Sequence, residues 1–212
     1  MMRTARRGLK RTVGRGLLLA ATIATCACGG SEERKIEGPL PTHQVVYGGD
    51  FTLGRRINEA LFDERRRNRI LEEVRPILRG ADLAIINGEG VIATGGRFTD
   101  KDEPRPYMFR AHPNVLQVLG GAGIDVVNGG NNHSGDYGRE ALVEQLDLLR
   151  AAGIDYVGVG YDARDARTPA YRVLGDTVVA VVGADLTYPD MYAATRSEEH
   201  TSELQSLLIS SY

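Results

Sequence analysis

The run Asn131-Asn132-His133-Ser134-Gly135-Asp136-Tyr137-Gly138 gathers three kinds of reactive group in one short stretch. The amide oxygen of Asn132 can serve a hard or borderline cation. The adjacent imidazole of His133 can bind metal or move a proton, and the carboxylate of Asp136, three residues on, can orient that imidazole. The plainer alternative is an Asn/Gly turn with a helix-capping Asp and a surface His. Two further acids favour chemistry. Val45 to Gly54 reads as a strand that ends in Asp50, and Ala81 to Gly90 as a strand that ends in Glu89. In a parallel sheet the carboxyl ends of such strands share one edge, so Asp50, Glu89 and Asn132 form a candidate ligand set for a divalent metal ion. His133 and Asp136 then stand as candidate catalytic groups beside it.

The elements that must position these residues follow from the pattern around them. Ile124 to Asn128 is a short β-branched run and Glu140 to Leu149 has helical periodicity, so the reactive run sits on a strand-to-helix loop. Loops at the carboxyl edge of an open α/β sheet are where such folds hold ligands. After the first strand, Ile57, Leu61, Ile70, Leu71, Val74 and Leu78 are spaced as one helical segment. The arginines from 65 to 69 within it are matched by Asp63, Glu64, Glu72 and Glu73, which describes a solvated face and not a polyanion site. Thr94 to Pro113 carries three prolines and no clean period and is expected to be a long loop, with His112 structural or on the surface and Arg97, Arg105 and Arg110 as exposed charges, the alternative being contacts to an anionic substrate. Val115 to Ala122 and Arg139 to Ala152 are helices closed by Gly123 and Gly153, and Ile154 to Val159 is a strand. Ala170 to Leu174 and Thr177 to Ala184 form a hairpin about Gly175-Asp176. Strands alternating with helices give the α/β class.

Five motifs in order, Gly49 to Gly54, Asn87 to Gly90, Tyr107 to Pro113, Asn131 to Gly138 and Ala152 to Gly160, resemble the CapA family of poly-γ-glutamate capsule synthesis, which is related to the calcineurin-like metallophosphoesterases. The loop is also similar to that of the 5′-nucleotidase branch. The resemblance implies a metallophosphoesterase-like β-sandwich flanked by helices (α/β/β/α), of which only the N-terminal part is expected here. It implies metal on Asp50, Glu89 and Asn132, with His133 and Asp136 assisting phosphoryl transfer. The phosphatase Asp-x-His is Asp50-Phe51-Thr52 in this chain, so one expected ligand is replaced.

Residues 1–28 have a signal-peptide plan, with six basic residues and no acid before the apolar run Leu17 to Ala24. Cys28, or Cys26, resembles the acylated cysteine of a bacterial lipobox, so export and a lipid anchor in the membrane of the cell envelope are expected. Residues 29–43 read as a tether and 44–195 as the domain. From Arg196 the chain resembles a translated sequencing adapter. Residues 196–212 are therefore expected to be artefactual, the domain incomplete and His200 irrelevant to any site. With 26 basic and 28 acidic residues, no basic patch and no tryptophan, nucleic acid is not an expected partner. The functions left are an accessory role in synthesis or export of an anionic polymer, with capsule-synthesis membrane proteins as partners, metal-dependent phosphoester hydrolysis, or none in a truncated fragment.

Overall fold

A computed structural model describes residues 42–99, 106–185, 187 and 207–210. These belong to one compact unit, Pro41–Tyr212. The leader with Cys26 and Cys28 and the tether as far as 41 lie outside the described residues. No helix among the described residues is long and apolar enough to cross a membrane.

Four parallel strands build the main sheet: β1 (Val45–Leu53), β2 (Leu83–Ile92), β4 (Val126–Asn128) and β5 (Asp155–Val157), in the order β1-β2-β4-β5. The short β3 (Arg110–Ala111) pairs parallel with the far end of β2. Between β1 and β2 run α1 (Arg55–Ala60), α2 (Glu64–Arg69) and α3 (Arg75–Gly80). Then α4 (Val115–Ala122) precedes β4, and α5 (Gly138–Ala152) leads to β5. After α6 (Ala163–Ala166), β6 (Ala170–Leu174), β7 (Thr177–Val182) and β8 (Leu207–Ser210) make an antiparallel second sheet. This is a mixed α/β, metallophosphoesterase-like fold with helices and a second sheet packed on a mainly parallel one.

Strand alternation explains the layers. In β2, Ala84 and Ile86 face the helices and pack with Leu78, Val115, Leu119 and Leu149. Leu83 and Ile85 face the other way and pack with Val126, Val157, Ala170, Leu174 and Val181, so they form the interior between the two sheets. A strand buried on both faces needs an apolar residue at nearly every position, as Leu83 to Ile86 supplies. Each such buried aliphatic side chain contributes about 1.5–3 kcal/mol.

The helix α4 and its Gly123 cap, the α5 cap at Gly153 and the β6–β7 hairpin agree with the sequence reading. Three details differ. The segment after β1 is three short helices and not one, because Asp63 caps α2 with its side chain and Leu71, at φ 61°, breaks the path before α3. The expected loop from 94 to 113 contains β3, which pairing with β2 creates without any local periodicity. Asp50 and Glu89 lie within strands and not at their exits. Pairing continues through Thr52↔Glu89 and Leu53↔Gly90, and a register shift between Tyr47 and Asp50 absorbs the Gly48-Gly49 pair.

Candidate functional site

At its amino end the inter-sheet layer is apolar, through Leu83, Ile85 and Val126. Two residues further along the same strand faces it turns polar, because Asn87 follows Ile85 and Asn128 follows Val126. Asp50, Asn87 and Asn128 stand opposite one another across three parallel strands. Their side chains join in a row: Asn87 Nδ2 donates to Asp50 Oδ1 at 2.8 Å, and Asn128 Nδ2 donates to Asn87 Oδ1 at 2.9 Å. Glu89 sits one step along the same face, opposite Thr52, whose hydroxyl donates to Glu89 Oε2 at 3.4 Å.

The loop after β4 closes over this row. Asn131 Nδ2 donates to Asn87 Oδ1 at 3.2 Å and to the Gly88 carbonyl at 3.0 Å, while Asn131 Oδ1 accepts from the His133 amide at 3.1 Å. His133 and Asp136 are both buried. The imidazole Nδ1 lies 3.0 Å from Asp136 Oδ2, and that oxygen also accepts the Phe109 amide N–H at 3.0 Å. Phe109 meets the His133 ring edge-on, with centroids 4.4 Å apart. Gly90 permits this approach: its φ is 123°, and a Cβ there would stand 2.6 Å from Phe109 Cβ. Asn132 is half-buried on the same loop.

The second sheet touches the site through Gly183, where a Cβ would fall 2.1 Å from Asn128 Oδ1. Two residues on, buried Asp185 holds the Thr187 amide at 3.0 Å through Oδ1, and its Oδ2 has no partner among the described residues.

The sequence-predicted residues are thus distributed as follows. His133 and Asp136 are in contact. Asp50 and Glu89 share one face of adjacent strands, and Asn132 belongs to the loop that closes on that face. The sequence reading missed Asn87, Asn128, Asn131 and Asp185. The signal was available for two of them: Asn87 and Asn128 follow apolar residues in the interior phase of their strands, Ile85 and Val126, where an amide is costly unless paired. His112 is structural as expected, its Nδ1 accepting the Asn114 amide at 3.2 Å. Arg110 is not a free loop charge, since it donates to the Gly95 carbonyl at 2.7 Å and lies over the Tyr137 ring. Arg105 lies outside the described residues.

The donors gathered here are carboxylate and amide oxygens, the ligand chemistry of hard divalent cations, and Asp50 is already oriented by a hydrogen bond as ligating carboxylates usually are. Among the described residues no group of three or more His, Cys, Asp or Glu is placed to hold a metal ion.

A mainly parallel sheet flanked by helices and backed by a second sheet is of the metallophosphoesterase-like α/β class. Residues 44–208 match the family described as bacterial capsule synthesis protein, and the chain belongs to that family. It is 26% identical over 138 residues to the PGA biosynthesis protein CapA of Bacillus subtilis, covering 65% of this chain and 36% of that one. It is 24% identical over 135 residues to the capsule biosynthesis protein CapA of Bacillus anthracis, covering 64% and 33%. A probable polyglutamine synthesis accessory protein of Mycobacterium tuberculosis is 33% identical over 119 residues, covering 54% and 30%. The alignments thus span about a third of the length of these curated relatives.

Proposed function

We propose that this chain carries the site-bearing part of an exported, lipid-anchored accessory protein for synthesis or export of a capsule polymer of the poly-γ-glutamate type, working with membrane proteins of that machinery. The names of the similar proteins support the polymer, and the Asp50–Asn87–Asn128 row beside the His133–Asp136 pair supports a site that acts on it. In this reading Asp50, Glu89 and Asn132 hold a divalent cation. When bound, the cation supplies positive charge that draws and polarises an anionic group of the ligand. Asn87 fixes the Asp50 carboxylate. Asp136 receives the N–H of His133 Nδ1, which turns Nε2 toward the ligand as a proton acceptor or, when protonated, as a donor. Phe109 packs edge-on against the imidazole and helps to hold its plane.

The buried His–Asp pair favours a second reading, metal-dependent hydrolysis of a phosphoester in the cell envelope, since a polymer-binding site alone has no need of an oriented imidazole. One experiment addresses both. The full-length protein is returned to its own host, with the gene deleted, as wild type or His133→Ala, and surface polymer is quantified together with metal-dependent phosphate release by the purified protein. Polymer restored by the wild type and lost in the variant supports the accessory reading. Equal polymer from both, or none dependent on the gene, overturns it. Phosphate release that survives His133→Ala overturns the hydrolytic one.

A further inference from the structure

Two described non-glycine residues hold the left-handed backbone region, Leu71 at φ 61° and Arg55 at φ 49°. A side chain there is strained, and the strain persists only where neighbouring structure offsets it. For Leu71 the offset is burial, since it packs on the helix-side core. Arg55 is exposed and has no such anchor. Its guanidinium lies over the Tyr107 ring, 5.2 Å from the centroid. An exposed cation over an exposed ring adds little to folding, so the conformation is best understood by where it holds the charge.

That place is the outer end of a stack of rings that reaches His133. Tyr107, 53% exposed, stacks on Phe109 with centroids 6.1 Å apart, and Phe109 in turn touches the His133 ring at 4.4 Å. The turn before Arg55 is fitted to the same segment, because a Cβ on Gly54 would stand 3.0 Å from Phe109 Cα. A continuous ladder therefore runs from a surface guanidinium through two rings to the buried imidazole. Arg110, on the same segment, is held internally by the Gly95 carbonyl and the Tyr137 ring, whereas Arg55 is exposed at the outer end of the ladder.

We propose that Arg55 and Tyr107 form an anion subsite at the rim of the site, which takes one carboxylate of a polycarboxylate chain while the neighbouring unit lies against His133. The planar guanidinium can grip a carboxylate with two N–H groups. The exposed Tyr107 ring and Met108, itself 48% exposed, offer an apolar shelf for the methylenes between successive carboxylates. This assignment rests on the reading of the site as one that meets a capsule polymer, and it gives that reading a specificity element.

The test is binding of a fluorescent γ-linked glutamate oligomer to the full chain with magnesium present, followed by anisotropy at low and raised salt. Arg55→Gln is expected to weaken binding about tenfold and to flatten the salt dependence, with Arg55→Lys recovering part of the loss. Tyr107→Ala is expected to weaken it by a smaller factor, about threefold. If Arg55→Gln and Tyr107→Ala bind as the wild type does while His133→Ala binds less well, the subsite is wrong and the reading of the site stands. If the wild type binds no oligomer, both fall. If inorganic polyphosphate competes more strongly than the glutamate oligomer, and through Arg55, the carboxylate assignment is overturned.

Discussion

The Asn87 amide N–H donates to Asp50 Oδ1 at 2.8 Å, across parallel strands whose register sets the two residues opposite each other. The same Asn87 accepts from Asn128 and Asn131, so a single amide ties β1, β2, β4 and the reactive loop together.

Asn87→Ala removes the shared acceptor from two donors and the donor from Asp50. Asn128 keeps the Gly130 carbonyl and Asn131 keeps that of Gly88, so the loss is partial. The expected destabilisation is about 2 kcal/mol, or a fall in Tm of roughly 4–8 °C. Calorimetry checks this, and a variant as stable as the wild type would mean that the row is not cooperative.

Asp136 Oδ2 already accepts the Phe109 N–H, and a carboxylate can only accept, so His133 is expected to carry its hydrogen on Nδ1 and leave Nε2 facing the site. Nitrogen-15 NMR of the imidazole distinguishes the tautomers. Asp136→Asn should lose the preference and lower any His133-dependent activity about 10- to 100-fold, as for other groups that orient a functional imidazole. An Nε2–H tautomer in the wild type would contradict the arrangement.

Relief of the strained turn at Arg55 separates stability from binding. Arg55→Gly is expected to raise stability by about 0.5–1 kcal/mol while removing the guanidinium, because glycine occupies positive φ without penalty. Denaturant unfolding measures the gain. A loss of stability would show that the Tyr107 contact outweighs the strain.

Glu144 on α5 ties down the segment that follows β2. Burial alone would raise its pKa. Hydrogen bonds from the Thr94 amide and hydroxyl and the Gly95 amide, with the charge of Arg110, outweigh that and lower it below the ordinary carboxylate value. A carboxyl depressed in the folded state contributes stability that is present above its unfolded pKa and lost as the pH falls through its folded one. Amide exchange at Thr94 and Gly95 should therefore quicken, relative to the rest of the chain, as the pH drops below the usual Glu range, and Glu144→Gln should abolish that dependence. A pH-independent difference from the rest of the chain would refute it.

The alternation of strands and helices, the Gly123 and Gly153 caps and the His133–Asp136 pair were legible because each is a local event, set by residues within a turn of one another. β3 was not legible, because two residues with no period become a strand only when the end of β2 supplies partners. Nor was the amide row, since Asn87 and Asn128 are 41 positions apart and meet only through sheet register. Asp50 and Glu89 were found by type but placed at strand exits, because glycines beside them read as turns, whereas Gly49 lies at the register shift and Gly90 makes room for Phe109. Arg55 gave no sign at all in the sequence. Its meaning lies in a backbone angle.

On the function proposed above, Asp50, Glu89 and Asn132 hold a divalent cation beside His133. The most direct measurement is titration of Mn²⁺ into the full chain, followed by electron paramagnetic resonance of the free ion, for the wild type and Asp50→Asn. Saturable loss of the free-ion signal is expected in the wild type, and affinity at least about tenfold weaker in the variant, whose amide keeps the shape and loses the charge. A wild-type protein that leaves the free Mn²⁺ signal untouched, or a variant that binds equally well, would contradict it.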